Sequence, residues 1–376
     1  MTNKLVDLNK EIPFSDTKIF LGDYNGFQRY DLYKHPFSKV MERKMRQAFW
    51  TPEEISLISD RENFKELPGH IQEILVNNLL FQTLMDSGQN RGLDSVLSEL
   101  ATCSEWEAAF KTQAFFELIH SLSYSHIIRE MFSSDASDVF DRVYKIEEIK
   151  NRINREIEAY TKVKHYLNKE IKLSDREVRE SILELLIYVF FLEGLKFYIS
   201  FMVTYTINNS FNDSIPGVAK IIKLINFDED MHVSLVGGLI NILRSNRSEG
   251  FTEYFESKWF DKKVNEIVKN IVDDELKWGD YLLSFGPIPS LTKDVFKSFM
   301  EYYANLRLEM IRVEPMFKNV QKNDVIEWFE LYKDINKDNV AQQEATSIAY
   351  NIGTMKFDYD DYDVKKELEK ILNKRK

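Results

Sequence analysis

FFELIHSLSYSHIIRE, residues 115–130, and AKIIKLINFDEDMH, residues 219–232, decide the fold. Each sets a glutamate three residues before a histidine: Glu117 with His120, and Glu229 with His232. That spacing puts a carboxylate and an imidazole on one face of a helix. Both pairs lie in apolar stretches, where an unpaired charge is expensive. One such pair alone reads as a salt bridge or hydrogen bond. Two in one chain point to donors around a common cation.

Two further carboxylates complete the pattern. Glu193 sits in LLIYVFFLEGLKFYISFMVTY (185–205), the most apolar helix of the chain, where locally only Lys196 offers a neutralising charge. Asp86 ends the helical stretch LPGHIQEILVNNLLFQTLMD (67–86), which sets Leu75, Leu79, Gln82 and Asp86 on one face. Two Glu-x-x-His helices plus one carboxylate from each of two others is the donor set of a ferritin-like di-iron carboxylate bundle. Four negative charges offset two divalent ions. Hard oxygen donors with imidazole suit iron or manganese, whereas zinc takes fewer ligands in a tetrahedron. Tyr124 lies one turn beyond His120 on the same face. Phe197 and Phe201 follow Glu193 at helical spacing, and Ile225 precedes Glu229 by one turn. These three are expected to wall Tyr124 off from water.

The rest of the chain agrees with an all-α class. Only 13 Gly and 8 Pro interrupt 376 residues, which favours helices over turn-rich sheets. Helices are expected over about 104–132, near 146–168, around Glu193, after Val218, and near 251–283, 292–312 and 323–333. FWTPEE (49–54) reads as a helix start, with Thr51 as N-cap, Pro52 at the first position and Glu54 completing a capping box. NNSFNDSIPG (208–217) reads as a loop. The expected organisation is an N-terminal extension over 1–35, a helical domain over 36–335 and a flexible tail over 336–376.

Composition narrows the function. A net charge of -11 argues against nucleic acid or an anionic membrane as partner. Residues 185–205 match a membrane span in length, but Glu193 and Lys196 at their centre favour a buried helix of a soluble bundle. The single cysteine, Cys103, allows no internal disulfide or dithiol chemistry and fits a reducing cytoplasm. The N-terminus has no apolar signal-peptide core, and no GxxxxGK phosphate loop is present.

FFELIHSLSYSHIIRE, FLEGLKFYISF (191–201), AKIIKLINFDEDMH and FQTLMDS (81–87) closely resemble the corresponding segments of the class I ribonucleotide reductase small subunit of the bacterial aerobic type. FW followed by PEE, WGDYL (278–282) and the order of all six ligands extend the likeness from about residue 23 to 350. The resemblance implies a homodimer whose Asp86, Glu117, His120, Glu193, Glu229 and His232 hold two iron ions per chain, with an oxo bridge derived from dioxygen. Manganese or a mixed pair satisfies the same ligands. It implies a stable radical on Tyr124, and radical transfer through Trp50, Asp228 and His120, then through Tyr350 in the tail. The tail would dock on the large catalytic subunit, where ribonucleotides are reduced. The alternative on the same fold is a di-iron oxygenase or hydroxylase, for which Trp50, Asp228 and Tyr350 have no use. Three places depart from the family: a short connection near 163–174, a slightly longer loop near 208–216, and a basic KRK ending after the acidic, aromatic FDYDDYD.

Overall fold

Long helices follow from the scarcity of breakers and from apolar residues at helical spacing. The computed structural model describes residues 6–24 and 26–334. Its longer helices are α1 (Pro36–Gln47), α2 (Gly69–Gly92), α3 (Ser104–Phe132), α4 (Asn154–Leu167), α5 (Asp175–Phe191), α6 (Tyr198–Ser210), α7 (Pro216–Ser245), α8 (Trp259–Ser284), α9 (Lys293–Met310) and α10 (Asp324–Tyr332). Strand pairing among the described residues is limited to two isolated bridges, Phe20 with Ala101 and Ile288 with Leu291. The chain is therefore an all-α bundle. Helix α2 runs along α3, α5 along α4 and α7, and α1 covers both α3 and α7. No described helix is long and apolar enough to cross a membrane.

Local chemistry explains several boundaries. Ser174 caps α5: its hydroxyl accepts from the Glu177 N–H while the Glu177 carboxylate accepts from the Ser174 N–H. Such a cap contributes about 1 kcal/mol. Pro216 opens α7, where its missing N–H costs no helical bond. Two π-helical turns interrupt regular α geometry, Leu93–Leu97 after α2 and Leu192–Lys196 between α5 and α6.

The structure departs from the sequence reading at six places, one being the helix expected near 251–283, which breaks at Lys258 into Thr252–Glu256 and α8. TPEE forms one 3-10 turn, Pro52–Glu54, instead of a helix. The Thr51 hydroxyl there donates to the Glu54 carboxylate at 3.0 Å rather than capping a backbone N–H. Asp86 does not end its helix, because α2 continues through SGQNRG to Gly92. The charged stretch near 146–168 is broken at Ile153 into Glu147–Arg152 and α4. The loop near 208–217 is shorter, since α6 runs to Ser210 and α7 begins at Pro216. Finally, Lys196 does not neutralise Glu193. It pairs with Glu156 at 2.7 Å and donates to the Arg152 carbonyl.

The segment before α1 joins the core. Ile19 and Phe20 are fully buried, and the Ile19 N–H donates to Glu249 Oε2 at 2.8 Å. Tyr350 and the expected tail over 336–376 lie outside the described residues.

Candidate metal centre

Four elements bring the six expected ligands together. Helix α2 contributes Asp86, α3 contributes Glu117 and His120, the π turn contributes Glu193, and α7 contributes Glu229 and His232. All six are buried, none more than 1% exposed. Their donor atoms form two groups, each with all atoms within 4.8 Å of one another. One group is Asp86, Glu117, His120 and Glu229; the other is Glu117, Glu193, Glu229 and His232. Glu117 and Glu229 therefore belong to both. His120 Nδ1 lies 3.2 Å from Glu229 Oε1 and 3.5 Å from Glu117 Oε2. His232 Nδ1 lies 2.9 Å from Glu229 Oε2 and 3.0 Å from Glu117 Oε1.

The electrostatics call for positive charge. Burial, then the neighbouring Glu117, pushes the Asp86 carboxyl well above its usual range. Glu193 is raised in the same way, by burial and then by Glu117 and Glu229. Burial opposes charge on His232, yet Glu117 and Glu229 outweigh it and lift the imidazole to about 9. His120 is likewise raised well above the ordinary histidine value, burial being outweighed by Glu229 and Asp228. Glu229 moves the other way: burial would raise it, but His120 and His232 hold it well below the carboxylate range.

The donor set fits a pair of metal ions. Both oxygens of Asp86 and of Glu117, Glu193 Oε2, Glu229 Oε1 and His120 Nδ1 are buried without a hydrogen-bond partner. Buried polar atoms are ordinarily satisfied. Here the unsatisfied atoms converge on one place and are the atoms that bind hard divalent cations.

Other expected residues surround this cluster. The Tyr124 ring is fully buried, and its hydroxyl couples to the Asp86 carboxylate without meeting full hydrogen-bond geometry. Burial first, then Asp86 and Glu229, pushes the phenol well above its usual value. The Trp50 indole N–H donates to Asp228 Oδ2 at 2.8 Å, and His120 Nε2 lies 3.1 Å from the same oxygen. The Trp50 and His120 rings stack with centroids 6.5 Å apart. Phe197, Phe201 and Ile225 are fully buried. Phe197 stacks on Phe201 and packs against Phe81, but among the described residues no ring contact joins either phenylalanine to Tyr124.

Three residues escaped the sequence reading. Gln89 and Gln113 both donate to Glu193 Oε1, the latter at 2.9 Å. The Tyr160 hydroxyl donates to Gln89 Oε1 at 2.9 Å. Spacing carries a signal for the two glutamines: Gln89 follows Asp86 by three residues and Gln113 precedes Glu117 by four. Nothing local marks Tyr160, whose role depends on how α4 packs.

Comparison with known proteins gives a consistent result. The family model described as "Ribonucleotide reductase, small chain" matches residues 30–324. The ribonucleoside-diphosphate reductase subunit beta of Buchnera aphidicola subsp. Baizongia pistaciae is 31% identical, over 93% of this chain and 95% of its own. The ribonucleoside-diphosphate reductase 1 subunit beta of Escherichia coli O157:H7 is 30% identical, over 93% of this chain and 97% of its own. Among solved structures, the ribonucleotide reductase R2 subunit from Clostridium botulinum superposes with a TM-score of 0.77 at 24% identity, covering 89% of this chain and 99% of that one. The dimanganese(II)-NrdF of Streptococcus sanguinis gives 0.62 at 21% identity, covering 81% and 99%.

Proposed function

The chain belongs to the ribonucleotide reductase small-chain family, and from that premise we propose that it generates and stores a tyrosyl radical for a class I enzyme. It is the small subunit of such an enzyme and works with a large subunit. Asp86, Glu117, His120, Glu193, Glu229 and His232 would hold two metal ions, with Glu117 and Glu229 common to both positions. Iron is the ion this reading names, and the same donors accept manganese or a mixed pair. The observation that carries the reading is that two four-residue ligand groups share Glu117 and Glu229.

When bound, the metal pair supplies one-electron oxidising power drawn from dioxygen. The chain's own residues do the rest. Tyr124 is the side chain that would be oxidised and hold the radical, its buried hydroxyl facing the Asp86 carboxylate. Complete burial keeps water and reductants from the ring, with Phe197, Phe201 and Ile225 as part of the dry surroundings. Trp50, Asp228 and His120 form one hydrogen-bonded series from the cluster outward. An oxidising equivalent would leave by that route and reach the large subunit through Tyr350 in the tail. Ribonucleotide reduction then takes place on the large subunit. An oxygenase on this fold has no need of that series.

The chain would act as a homodimer in the cytoplasm. On α3, Phe115, Leu118 and Leu122 form an exposed apolar stripe, 43–51% accessible, and Phe49 stacks on Phe115 at 5.9 Å. Exposed apolar patches of this kind mark protein contacts. The deciding experiment is EPR with metal analysis on protein reconstituted with iron and oxygen, then with manganese. Two ions per chain and an organic radical are expected. Absence of a radical under both conditions overturns the reading.

A further inference from the structure

Glu193 is held by side-chain amides, whereas Glu229 Oε2 pairs with the ligand His232 and Glu229 Oε1 has no hydrogen-bond partner. Glu193 Oε1 accepts from the side-chain amides of Gln89 on α2 and Gln113 on α3, while its Oε2 is buried with no partner. Asp86 and Glu117 have both oxygens without a hydrogen-bond partner. We propose that Gln89, Gln113 and Tyr160 form a clamp that restricts Glu193 to one ligating oxygen and so makes the two metal positions unequal. The inference rests on the dinuclear reading above.

The hydrogen bonds are directional. A carboxylate oxygen has two lone-pair sites, and two amide protons fill both on Oε1. Oε2 is then the oxygen left to face a cation. Gln89 cannot turn its amide round without setting its own carbonyl oxygen against the carboxylate. It would also give up the bond its oxygen accepts from Tyr160. Tyr160 is itself fixed by a close approach. Its ring lies on bare Gly92, one turn beyond Gln89, where an added Cβ would come within 2.5 Å of the ring carbon bearing the hydroxyl. Three helices therefore converge on one oxygen: α2, α3 and, through Tyr160, α4. Glu193 needs such support because it sits in a π turn, off the regular helical spacing that sets the other ligands. These three are positioning residues, acting through Glu193.

The test is a Co(II) titration of the full chain, followed by calorimetry and visible absorption. The wild type is expected to take two ions. In Gln113→Met, one ion is expected to bind about 10–100-fold more weakly while the other is unchanged, the usual range when an outer partner of a ligand is lost. The visible bands of the weakened ion should also lose intensity, because a freed Glu193 can chelate through both oxygens and raise the coordination number. Tyr160→Phe keeps the ring and its packing, so it should show the same change on one ion to a smaller extent. Equal weakening of both ions, or no change of either in both variants, overturns the clamp. A wild type that takes fewer than two ions overturns the dinuclear reading itself, and that result appears before any variant is made.

Discussion

Trp50 and Asp228 stand 178 residues apart in sequence and meet through an indole N–H to carboxylate bond of 2.8 Å. Trp50 is 2% exposed, and Asp228 shares the accepting oxygen with His120. This contact ties the turn at Pro52 to α7 and is the proposed outward step from the cluster. Trp50→Phe is expected to lose nucleotide reduction with the large subunit while metal content stays at two ions. Removing the donor leaves a buried carboxylate oxygen short of a partner, at a cost of about 1–3 kcal/mol. Denaturant melts and turnover assays check the two halves separately. Normal turnover would rule out this exit.

The two ligand groups predict different losses for different ligands. Glu229 is common to both, so Glu229→Ala should lower occupancy at both positions. His232 belongs to one group, so His232→Ala should leave about one ion per chain. Metal analysis after reconstitution distinguishes them. Equal occupancy in the two variants would contradict the shared-carboxylate arrangement.

Tyr124→Phe removes one hydroxyl from a fully buried ring and leaves the ring's packing in place. The variant should keep both metals and lose the organic-radical signal. A signal of unchanged shape and size in the variant would place the radical on another residue.

A pH effect is expected away from the cluster. Glu249 accepts from the Ile19 N–H and faces His35 at 3.3 Å and Lys34 at 3.5 Å. Burial would raise its pKa, but His35 and the Ile19 N–H prevail and hold it below the ordinary 4.5. A depressed carboxylate contributes stability above its unfolded pKa and loses it as pH falls through the folded one. Glu249→Gln should therefore be less stable than wild type at pH 7, by about 1–3 kcal/mol for the loss of a charged acceptor. The difference should shrink once the pH drops below 4.5 toward the depressed value. Denaturant melts at both ends of that range measure it. A difference that stays constant would exclude a charge effect.

Leu118→Asp puts a charge in the middle of the apolar stripe on α3 without touching the core. Light scattering should give about twice the chain mass of 44.5 kDa for wild type and a mass near one chain for the variant. A wild type that is monomeric at micromolar concentration removes this face from consideration.

Much of this was legible in the sequence. Helix α3 runs over Ser104–Phe132, the range its periodicity predicts, and the six candidate ligands come together as the two Glu-x-x-His pairs and the family resemblance led one to expect. What failed depended on contacts between distant residues. TPEE carries the residues of a helix start, but Trp50 is drawn to Asp228 and the chain makes only one turn before Ile58. Lys196 follows Glu193 by three residues, which in an α-helix would put the two on one face. The π turn breaks that spacing, and Lys196 reaches Glu156 on α4 instead. Helical patterning assumes a constant period, so it reveals neither a changed period nor a partner such as Tyr160 supplied by packing.

The π turn at Leu192–Lys196 also governs how the chain can change in length. A turn of this kind holds one residue more than the α-helix on either side. Losing one residue there would let α5 and α6 join as a continuous α-helix with the faces of both kept, because the wide turn already absorbs the extra residue. Phe197, Phe201 and Tyr205, all completely buried, would keep their neighbours, while Glu193 would lose the position that the wide turn gives it. A deletion within α5 or α6 would turn a whole helix face, whereas one at the π turn is expected to cost the cluster a ligand and leave the packing of α6 in place. Among natural relatives that keep Glu193, the number of residues at 192–196 is thus expected to be constant.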